Sequence, residues 1–208
     1  KTFARYWLHN AFLNIDNKKM SKSLGNFFTV REIKDKYDLQ VLRFFMLSAH
    51  YRSPLNFSAE LMEASKNGLE RIVNAVDNLK YLQENAAVAE LTEQETKDLE
   101  QVKEFGTRFD EAMDDDLNTA DAISVIFELV KYANTSVSED NSAAFIRAVR
   151  DKILELGDIL GLKLEKKEEI LDEDIEKLIE ERQAARKAKD FAKADEIRIK
   201  LQDMGIVL

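Results

Sequence analysis

The sequence predicts a mainly α-helical protein whose centre is an antiparallel bundle of four amphipathic helices. Between residues 58 and 160, apolar residues recur at helical spacing in four segments that short polar links connect. Gly and Pro are scarce, with six and one in 208 residues, and Ser, Thr, Asp or Asn stands before several of these segments. At 45% hydrophobic and 34% charged residues, the composition is typical of a folded protein rather than a disordered one.

The N-terminal part of the chain is predicted to begin with a β-hairpin. A strand-like apolar run at residues 11–15 leads into the turn pair Asp16-Asn17, and the chain returns from Lys19. The residues that follow are rich in Ser and Lys, so we expect an exposed loop there. Two short helices then precede an irregular stretch that contains the single proline.

Capping residues set the expected helix boundaries. Thr92 and Glu95 form a capping box, and Asn118 or Thr119 can cap the following helix. The first bundle helix has an apolar stripe at nearly heptad spacing, formed by Leu61, Leu69, Ile72, Val76 and Leu79. Helices are predicted over residues 30–37 and 39–49, from residue 58 past residue 79, over 92–113, from 118 or 119, over 142–160, and over 172–188 and 192–204.

Changes in composition divide the chain into three predicted domains. Residues 1–57 carry the hairpin and loop, residues 58–165 form the bundle, and residues 166–208 form a smaller helical domain. The polar stretch 163–169 is predicted to be a linker, and residues 206–208 are predicted to start a strand.

The net charge of −9 is unevenly distributed. Residues 1–36 carry a net charge of +5 and residues 182–200 carry +4, whereas residues 37–181 carry −17. Basic ends around an acidic middle would suit a protein whose ends meet phosphate groups. Solvated helix faces are an equally good interpretation of such charge runs.

Composition also excludes several functional classes. The chain has no Cys, which excludes disulfides, thiolate metal ligands and a Cys nucleophile. No apolar run approaches the ~18 residues of a membrane span, so we expect no membrane partner. The first residue is Lys rather than Met, and no signal-peptide pattern follows, so we expect a portion of a longer protein.

The residues that suggest chemistry lie in the string Lys19-Met20-Ser21-Lys22-Ser23-Leu24-Gly25-Asn26. Two lysines three residues apart, among hydroxyl residues and a glycine, form a cationic loop that can fold over a polyphosphate and neutralise charge on its oxygens. A generic pair of lysines is more often ordinary solvated surface. This string is far from generic, because it resembles the full KMSKS signature of class I aminoacyl-tRNA synthetases.

The resemblance to this signature implies a loop that clamps ATP while the carboxylate of an amino acid attacks the α-phosphate. Lys22 is then the main phosphate contact and a catalytic residue, and Lys19 is the supporting catalytic residue. The implied ATP-binding residues are Lys19, Met20, Ser21, Lys22 and Ser23.

Segments on both sides of the loop resemble cysteinyl-tRNA synthetases. The resemblance implies the end of an α/β catalytic domain of Rossmann type, with its stem-contact fold, then the helical bundle, then an incomplete anticodon-binding domain. It also implies an enzyme that activates cysteine with ATP and Mg²⁺ and transfers it to tRNA(Cys), in the cytoplasm and as a monomer. The segments that carry it are residues 3–10, 27–32, 48–58, 113–120 and 181–208.

The same resemblance implies that the HIGH-type nucleotide motif and the cysteine-selecting zinc site lie upstream of this sequence. We therefore expect zinc in the full-length enzyme and no metal ligand in this chain, because His9 and His50 do not match the family's ligands. His9 is expected to be a hydrogen-bonded structural residue. The 208 residues alone are predicted to be inactive in cysteine activation.

Four residues are candidates for contact with tRNA. Arg186, Phe191 and Asp195 match the family's base-contacting positions, and the resemblance implies that they bind the anticodon. A guanidinium and a carboxylate can hydrogen bond to base edges, and an aromatic ring can stack on an unstacked base. Phe191 is interpreted equally well as a core residue at a helix joint. Arg52 is predicted to contact tRNA in the stem-contact fold, or equally to pair with an acidic neighbour.

Three competing interpretations complete the sequence-based hypotheses. Asp114–Asp116 lacks the alternating ligands, central Gly and terminal Glu of a calcium loop, so helix capping by Asn118 or Thr119 is favoured there. A paralogous ligase that couples cysteine to a sugar amine uses the same adenylate, but it has no need of an anticodon-reading tail. The isolated chain could also act as a non-catalytic tRNA-binding module.

Overall fold

The computed structural model describes residues 3–21, 23, 25–26, 29–165, 173–187 and 190–203. They belong to two compact units, residues 1–166 and 167–208. The first unit contains β1 (Leu13–Ile15), β2 (Lys18–Lys19), α1 (Val30–Lys34), α2 (Leu39–Leu47), β3 (Leu55–Phe57), α3 (Ala59–Asn85), α4 (Glu93–Asp114), α5 (Thr119–Ser136) and α6 (Ala143–Ile159). The second unit contains α7 (Glu173–Lys187) and α8 (Phe191–Asp203). The described part of the chain is mainly helical, which confirms the predicted fold class.

Strands β1 and β2 form the predicted hairpin. Asp16 and Asn17 occupy its turn with φ of 47° and 62°. Asp and Asn are among the few residues that accept this left-handed conformation, which matches the twist of a tight hairpin. The antiparallel pairing aligns Asn14 with Lys19 and therefore places the first predicted signature residue on the strand itself.

A third strand lies on the other edge of β1. Strand β3 is parallel to β1, the sheet order is β2-β1-β3, and the register pairs Leu13 with Leu55 and Ile15 with Phe57. Helices α1 and α2 lie in the connection between these two strands, as a parallel crossover requires. The sequence analysis treated this stretch as irregular, because three residues after a proline carry too little periodicity to show a strand.

Helices α3 to α6 form the predicted bundle. Helix α3 packs on α6, α4 packs on α5, and α4 also contacts α6. Because only residues 115–118 separate α4 from α5, these two packed neighbours run antiparallel. The fully buried side chains of the bundle include Met62, Ile72, Leu79, Phe109, Ile126, Leu129, Phe145, Ile146, Ile153 and Leu156.

The apolar stripe of α3 differs from the predicted one in its first residue. Leu61 is 43% exposed, whereas Met62 is completely buried, so the prediction for Leu61 was wrong. Met62 precedes Leu69 by seven residues and therefore lies on the same face of the helix. Leu61 precedes Leu69 by eight residues, and the extra residue rotates its side chain away from the core.

Helix starts in the first unit depend on local side-chain caps. Thr92 accepts a hydrogen bond from the amide of Glu95 while the Glu95 carboxylate accepts one from the amide of Thr92, so the predicted capping box is confirmed. Of the two predicted caps for α5, Asn118 takes the position and accepts from the amide of Asp121. The N-cap residues of α1 to α6 are Thr29, Asp38, Ser58, Thr92, Asn118 and Ser142.

The Glu95 carboxylate joins the starts of two bundle helices. One oxygen accepts from the Thr92 amide at 2.9 Å, and the other accepts from the Ser142 amide at 2.8 Å and from Nδ2 of Asn141 at 3.2 Å. Glu95 is only 4% exposed. Burial by itself raises the pKa of Glu95, but the hydrogen bonds from Thr92, Ser142 and Asn141 outweigh it and bring the pKa to about 2. The side chain therefore stays ionised and holds the N-termini of α4 and α6 together.

The C-terminal end of α6 is closed by the chain that follows it. Leu164 is 2% exposed and packs against Gly157, where a side chain would collide with it. The predicted linker 163–169 therefore begins too early, since this leucine belongs to the core of the first unit. The rest of that stretch, from residue 166, lies outside the described residues.

Helix α2 docks on the same end of α6. Nη1 of Arg43 reaches the carbonyl oxygen of Leu160 at 3.5 Å, where a cation also meets the negative end of the helix dipole. The Oε1 atom of Gln40 accepts from the amide of Lys163 at 3.0 Å. Gly161 has φ of 67°, the left-handed conformation that ends many helices, so the helix predicted over residues 142–160 ends where expected.

The second unit is a pair of helices. Asp190 caps α8, because its side chain accepts from the amide of Lys193 at 3.2 Å, and its own amide donates to the carbonyl of Ala185 at 2.9 Å. The predicted strand at residues 206–208 lies outside the described residues. Among the described helices, none combines the length and apolar character needed to cross a bilayer. The buried residues described in this unit are Ala185, Ala194, Ile197 and Leu201.

We expect Glu95→Gln to lower the free energy of unfolding of the chain by about 1.5–3 kcal/mol, the range for a buried hydrogen bond to a charged group. A Gln side chain has one acceptor oxygen, so its NH₂ group must face either the Thr92 or the Ser142 amide, which are both donors. Urea unfolding at pH 7 measures the loss. The control is Glu93→Gln, which removes an exposed charge from the same helical turn.

The loss of unfolding free energy in Glu95→Gln should depend on pH. The folded pKa of about 2 lies below the ordinary value of 4.5, so the native state favours the ionised form. The stabilisation is then complete above about pH 4.5 and is lost as the pH falls toward 2. Equal losses at pH 7 and at the acidic end of this window would show that the carboxylate charge is not what stabilises the junction.

We expect Gly157→Ala to destabilise the chain by about 1–3 kcal/mol, the usual cost of overpacking. The new methyl group would overlap Cδ1 of Leu164 and lie 3.0 Å from its Cγ. Gly106→Ala is the matched control, because its added carbon meets nothing nearer than the Lys152 side chain at 3.6 Å. That control should gain up to about 1 kcal/mol from helix propensity. Thermal unfolding of the two variants should therefore give shifts of opposite sign.

Candidate functional site

The signature loop leaves the sheet at β2, and one side chain ties its two ends together. Oδ1 of Asn26 accepts from the amide of Ser21 at 2.9 Å, and its Nδ2 donates to the carbonyl oxygen of Lys19 at 3.2 Å. Gly25 precedes this residue with φ of 67° and open space around its Cα. The side chain of Asn26 thus closes the loop into a small ring that starts on the hairpin.

Two hydroxyl groups meet inside the loop. The Oγ atoms of Ser21 and Ser23 lie 2.6 Å apart, and the amide of Ser23 donates to Oγ of Ser21 at 3.2 Å. The two predicted ATP-binding serines therefore lie side by side. Lys22, the predicted main phosphate contact, lies outside the described residues, as does Leu24.

Lys19 lies on the hairpin strand with its ammonium over an aromatic ring. Its Nζ is 4.2 Å from the centre of the Phe12 ring. Phe12 and Asn14 are two residues apart and share one face of the strand, and Asn14 is the cross-strand partner of Lys19. Met20 continues the pairing, because its amide donates to the carbonyl oxygen of Leu13 at 3.2 Å. The sheet therefore positions the first two residues of the signature.

A cluster of four residues links the segment before β3 to the junction between α4 and α5. This Asp116 cluster consists of His50, Tyr51, Arg52 and Asp116. Oδ1 of Asp116 accepts from the Tyr51 hydroxyl at 2.7 Å and from Nη2 of Arg52 at 3.1 Å. Its Oδ2 accepts from Nε of Arg52 and lies 3.8 Å from Nε2 of His50. Both oxygens of one carboxylate are thus occupied by consecutive residues of a single segment.

Hydrogen bonds in the Asp116 cluster keep the Asp116 carboxylate ionised and the Tyr51 phenol protonated. The hydrogen bonds from Arg52 and then from Tyr51 lower the pKa of Asp116 to about 2. The hydrogen bond to Asp116 raises the pKa of the Tyr51 phenol. At neutral pH the carboxylate is therefore ionised and the phenol keeps the proton that it donates.

Of the two roles predicted for Arg52, the structure contains the pairing with an acidic neighbour. Contact with tRNA stays a prediction. Asp116 was not predicted as the partner, because 64 residues separate it from Arg52 and no local pattern connects them. The sequence signal at this position is the acidic triplet itself, which was considered only as a calcium loop.

The predicted anticodon residues lie in the second unit. Arg186 is exposed in the last turn of α7, and Asp195 is exposed on α8 with its Oδ1 atom 3.4 Å from Nη2 of Arg198. Phe191 is the first residue of α8, and its side chain lies outside what the structure describes. Solvent can therefore reach the guanidinium and the carboxylate that the resemblance assigns to base contact.

The ring of His9 stacks on Trp7 with centroids 6.3 Å apart and planes within 10° of each other. The surrounding segment has no regular secondary structure and is largely exposed. The hydrogen-bonded structural role of His9 stays a prediction. Searched over the described residues, the chain contains no group of three or more His, Cys, Asp or Glu that could hold a metal ion.

Three family profiles match successive parts of the chain. The profile described as the tRNA synthetases class I (C) catalytic domain matches residues 1–67 and includes the signature loop. The DALR domain profile matches residues 108–165, in the second half of the bundle. The profile described as the cysteinyl-tRNA ligase anticodon binding domain matches residues 169–208.

Curated relatives match along the whole chain. A protein named Cysteine--tRNA ligase from Lachnospira eligens is 65% identical over 206 residues, which cover 99% of this chain and 44% of the relative. Proteins of the same name from Lachnoclostridium phytofermentans and Clostridioides difficile are 57% and 50% identical over 100% of this chain and 45% of their own length. The chain thus spans slightly less than half the length of these relatives. From its three successive profile matches and its identity to these relatives, the chain belongs to the cysteinyl-tRNA synthetase family.

Proposed function

We propose that this chain supplies the ATP-contacting loop and the tRNA-binding surfaces of a cysteine–tRNA ligase. The observation that carries the proposal is the 50–65% identity to three proteins named Cysteine--tRNA ligase, over at least 99% of the chain. The signature loop lies in a catalytic-domain match, and the C-terminal helices lie in an anticodon-domain match. Both activities of such a ligase therefore have a counterpart in this sequence.

The first step joins cysteine to the nucleotide. The carboxylate of cysteine attacks the α-phosphorus of ATP, the bond to the β-phosphate oxygen breaks, and pyrophosphate leaves with its electron pair. Lys19 and Lys22 neutralise the negative charge that collects on the leaving phosphates, which stabilises the transition state and so lowers the barrier. Mg²⁺ enters with ATP as part of the substrate and shares in this neutralisation.

The geometry of the described loop residues supports this assignment. The Lys19 ammonium rests on an aromatic ring and carries no carboxylate partner in the described residues, so its charge is available to an incoming anion. The hydroxyl groups of Ser21 and Ser23 meet at 2.6 Å and can turn outward to donate to phosphate oxygens. The amide of Met20 is used by the sheet, so this residue places the loop rather than binding phosphate through its N–H.

In the second step a ribose hydroxyl of the terminal adenosine of tRNA(Cys) attacks the carbonyl carbon of cysteinyl-adenylate, the acyl–phosphate bond breaks, and AMP leaves. The protein must hold the tRNA while this occurs. Arg186, Phe191 and Asp195 bind the anticodon in this proposal, and the excess of Lys and Arg over residues 182–200 attracts the RNA backbone. Arg52 contributes a contact at the stem, for which it must share its guanidinium with Asp116 or exchange partners.

The proposal also assigns domains, location and assembly. Residues 1–57 close the catalytic domain, residues 58–165 form the bundle, and residues 166–208 form the anticodon-binding domain. The protein acts as a monomer in the cytoplasm, where translation consumes the charged tRNA. No zinc ligand is assigned to this chain, because the resemblance implies that the zinc site lies upstream of this sequence.

The anticodon-domain match favours this ligase over a paralogous enzyme that couples cysteine to a sugar amine. Both enzymes form the same adenylate, so the loop cannot distinguish them. A sugar-amine ligase has no anticodon to bind, whereas residues 169–208 match a domain described by that function. Aminoacylation of tRNA(Cys) is therefore the activity to measure.

We expect Lys22→Ala to slow cysteinyl-adenylate formation on the order of 10²–10³-fold, the usual effect of removing one group that stabilises transition-state charge. The measurement is the single-turnover rate of adenylate formation in the full-length protein, meaning a protein of the relatives' length that contains this chain. Binding of tRNA should be nearly unchanged, because this lysine acts on ATP.

Lys18→Ala is the control for this prediction. Lys18 is an exposed lysine on the same hairpin and does not belong to the signature. Its substitution by alanine removes one positive charge from the same region. The rate of adenylate formation should stay within about threefold of the parent, since salt weakens the effect of an exposed charge that makes no contact with the phosphates. An equal loss in both variants would mean that only the local net charge matters.

We expect Arg186→Ala and Asp195→Ala to relax discrimination against tRNA(Cys) with altered anticodons. Both side chains can hydrogen bond to base edges, whereas stacking accepts any base. Phe191→Ala should mainly weaken tRNA binding, by about 1–3 kcal/mol for one stacked base. Aminoacylation kinetics with native and anticodon-substituted tRNA separates these effects, and adenylate formation should not change.

Lys187→Ala is the matched control in the second unit. It lies beside Arg186 on α7 and removes the same charge. The Lys187→Ala substitution should weaken the binding of native and anticodon-substituted tRNA equally, because a phosphate contact carries no sequence information. If the Arg186, Phe191 and Asp195 variants all keep the affinity and discrimination of the parent, these residues do not bind the anticodon.

A further inference from the structure

We propose that Asp116 is a positioning residue for the signature loop: its carboxylate fixes the segment that holds strand β1, and β1 pairs with β2, from which the loop leaves. The inference rests on the proposed function for its kinetic consequence. Its structural part concerns only contacts within the first unit.

The first link joins Asp116 to the segment between α2 and β3. Tyr51 and Arg52 donate three hydrogen bonds to its two oxygens, and the amide of Arg52 also donates to Nδ1 of His50 at 3.2 Å. The His50 and Tyr51 rings stack with their centroids 4.8 Å apart. These contacts define one conformation for three consecutive residues that belong to no helix or strand.

The second link joins that segment to β1. The carbonyl oxygen of Tyr51 accepts from the amide of Ala11 at 2.8 Å, and the amide of Leu55 donates to the carbonyl oxygen of Phe12 at 3.1 Å. The pairing of β3 with β1 then continues to the hairpin turn, where the amide of Asn17 donates to Oδ1 of Asn56 at 2.7 Å. Strand β1 pairs with β3, and the residues at both of its ends are hydrogen bonded to residues 51–57.

The third link joins β1 to the loop. Asn14 pairs with Lys19 and the carbonyl oxygen of Leu13 accepts from Met20, so the first signature residues take their position from β1. A hairpin with two or three residues per strand is marginal on its own. Its geometry therefore depends on the strand and segment along its other edge, which the Asp116 cluster anchors to the bundle.

The backbone at Asp116 points to the same conclusion. Asp116 and Leu117 both have φ of 56°, and two consecutive non-glycine residues in the left-handed region cost free energy. The amides of the turn are satisfied locally, since that of Leu117 donates to the carbonyl oxygen of Met113 at 3.0 Å and that of Asn118 to Ala112 at 3.1 Å. This conformation aims the carboxylate of Asp116 at Tyr51 and Arg52.

A purely stabilising surface ion pair would have different consequences. The side chains of Arg52 and Asp116 are 63% and 44% exposed, and ion pairs of that exposure add little to global stability. Loss of Asp116 should therefore leave the unfolding midpoint nearly unchanged. The loss of Asp116 should instead increase amide hydrogen exchange around β1. It should also slow cysteine activation, the step that needs the signature loop in its correct position.

The test compares Asp116→Asn with Asp115→Asn in the full-length protein. Asn accepts the left-handed backbone as readily as Asp does, so Asp116→Asn removes the charge without forcing the turn to change. Asp115→Asn removes the same charge from the adjacent residue. Three readouts are taken: amide hydrogen exchange at Ala11 and Met20, the unfolding midpoint, and kcat and KM for cysteine-dependent ATP–pyrophosphate exchange.

In Asp116→Asn we expect faster exchange at the Ala11 and Met20 amides and a fall in kcat on the order of 10–100-fold, the scale on which a small misplacement of a reacting group slows catalysis. The KM for cysteine and the unfolding midpoint should match those of the parent. Asp115→Asn should match the parent in all three readouts. Tyr51→Phe, which removes one donor to Asp116, should reproduce part of the change in amide exchange.

Unchanged amide exchange and unchanged kcat in Asp116→Asn, with an active parent, would overturn the inference and leave the proposed function standing. A loss of kcat that accompanies an equal loss of stability would also overturn it, because the role would then be structural. If the parent itself shows no cysteine-dependent exchange, the proposed function fails. The amide comparison then decides alone whether Asp116 positions β1.

Discussion

Backbone hydrogen bonding along β1 is the constraint on which the candidate site depends. This strand has only three residues, yet both of its edges are paired, with β2 on one side and β3 on the other. The signature loop leaves from β2, and β3 leads directly through Ser58 into the first helix of the bundle. The loop to which we assign ATP binding is therefore connected to the helical bundle through one short set of amide–carbonyl pairs.

The bundle can serve as a fixed support because its own ends are tied by buried charge rather than by apolar contact alone. The Glu95 carboxylate accepts hydrogen bonds from the start of α4 and from Ser142 at the start of α6, which lies 47 residues beyond Glu95 along the chain. An ion buried to this extent is stable only when its hydrogen-bonding capacity is used. These hydrogen bonds thus fix the start of α4 relative to the start of α6. The turn between α4 and α5, which contains Asp116, follows directly from α4 and is positioned with it.

Features that arise from neighbouring residues could be predicted from the sequence. The hairpin turn at Asp16-Asn17 and the caps at Thr92 and Asn118 need only side chains within three or four residues. Strand β3 and the contact of Asp116 with Arg52 could not be predicted, because their partners lie about 40 and 64 residues away. The candidate loop was found as a continuous string of residues, whereas the position of its strand relative to the bundle required the structure.

The contact between the Lys19 ammonium and the Phe12 ring affects how fast the ammonium can move to another partner. A cation on an exposed aromatic ring is held by only about 0.5–1 kcal/mol, comparable to thermal energy, while the backbone beneath it is fixed by the sheet. Exposed side chains change rotamer within nanoseconds, whereas enzymes commonly turn over in milliseconds to seconds. In the proposed function, the ammonium could therefore leave the Phe12 ring for an arriving phosphate many thousands of times within one turnover, and delivery of this charge would not limit the rate.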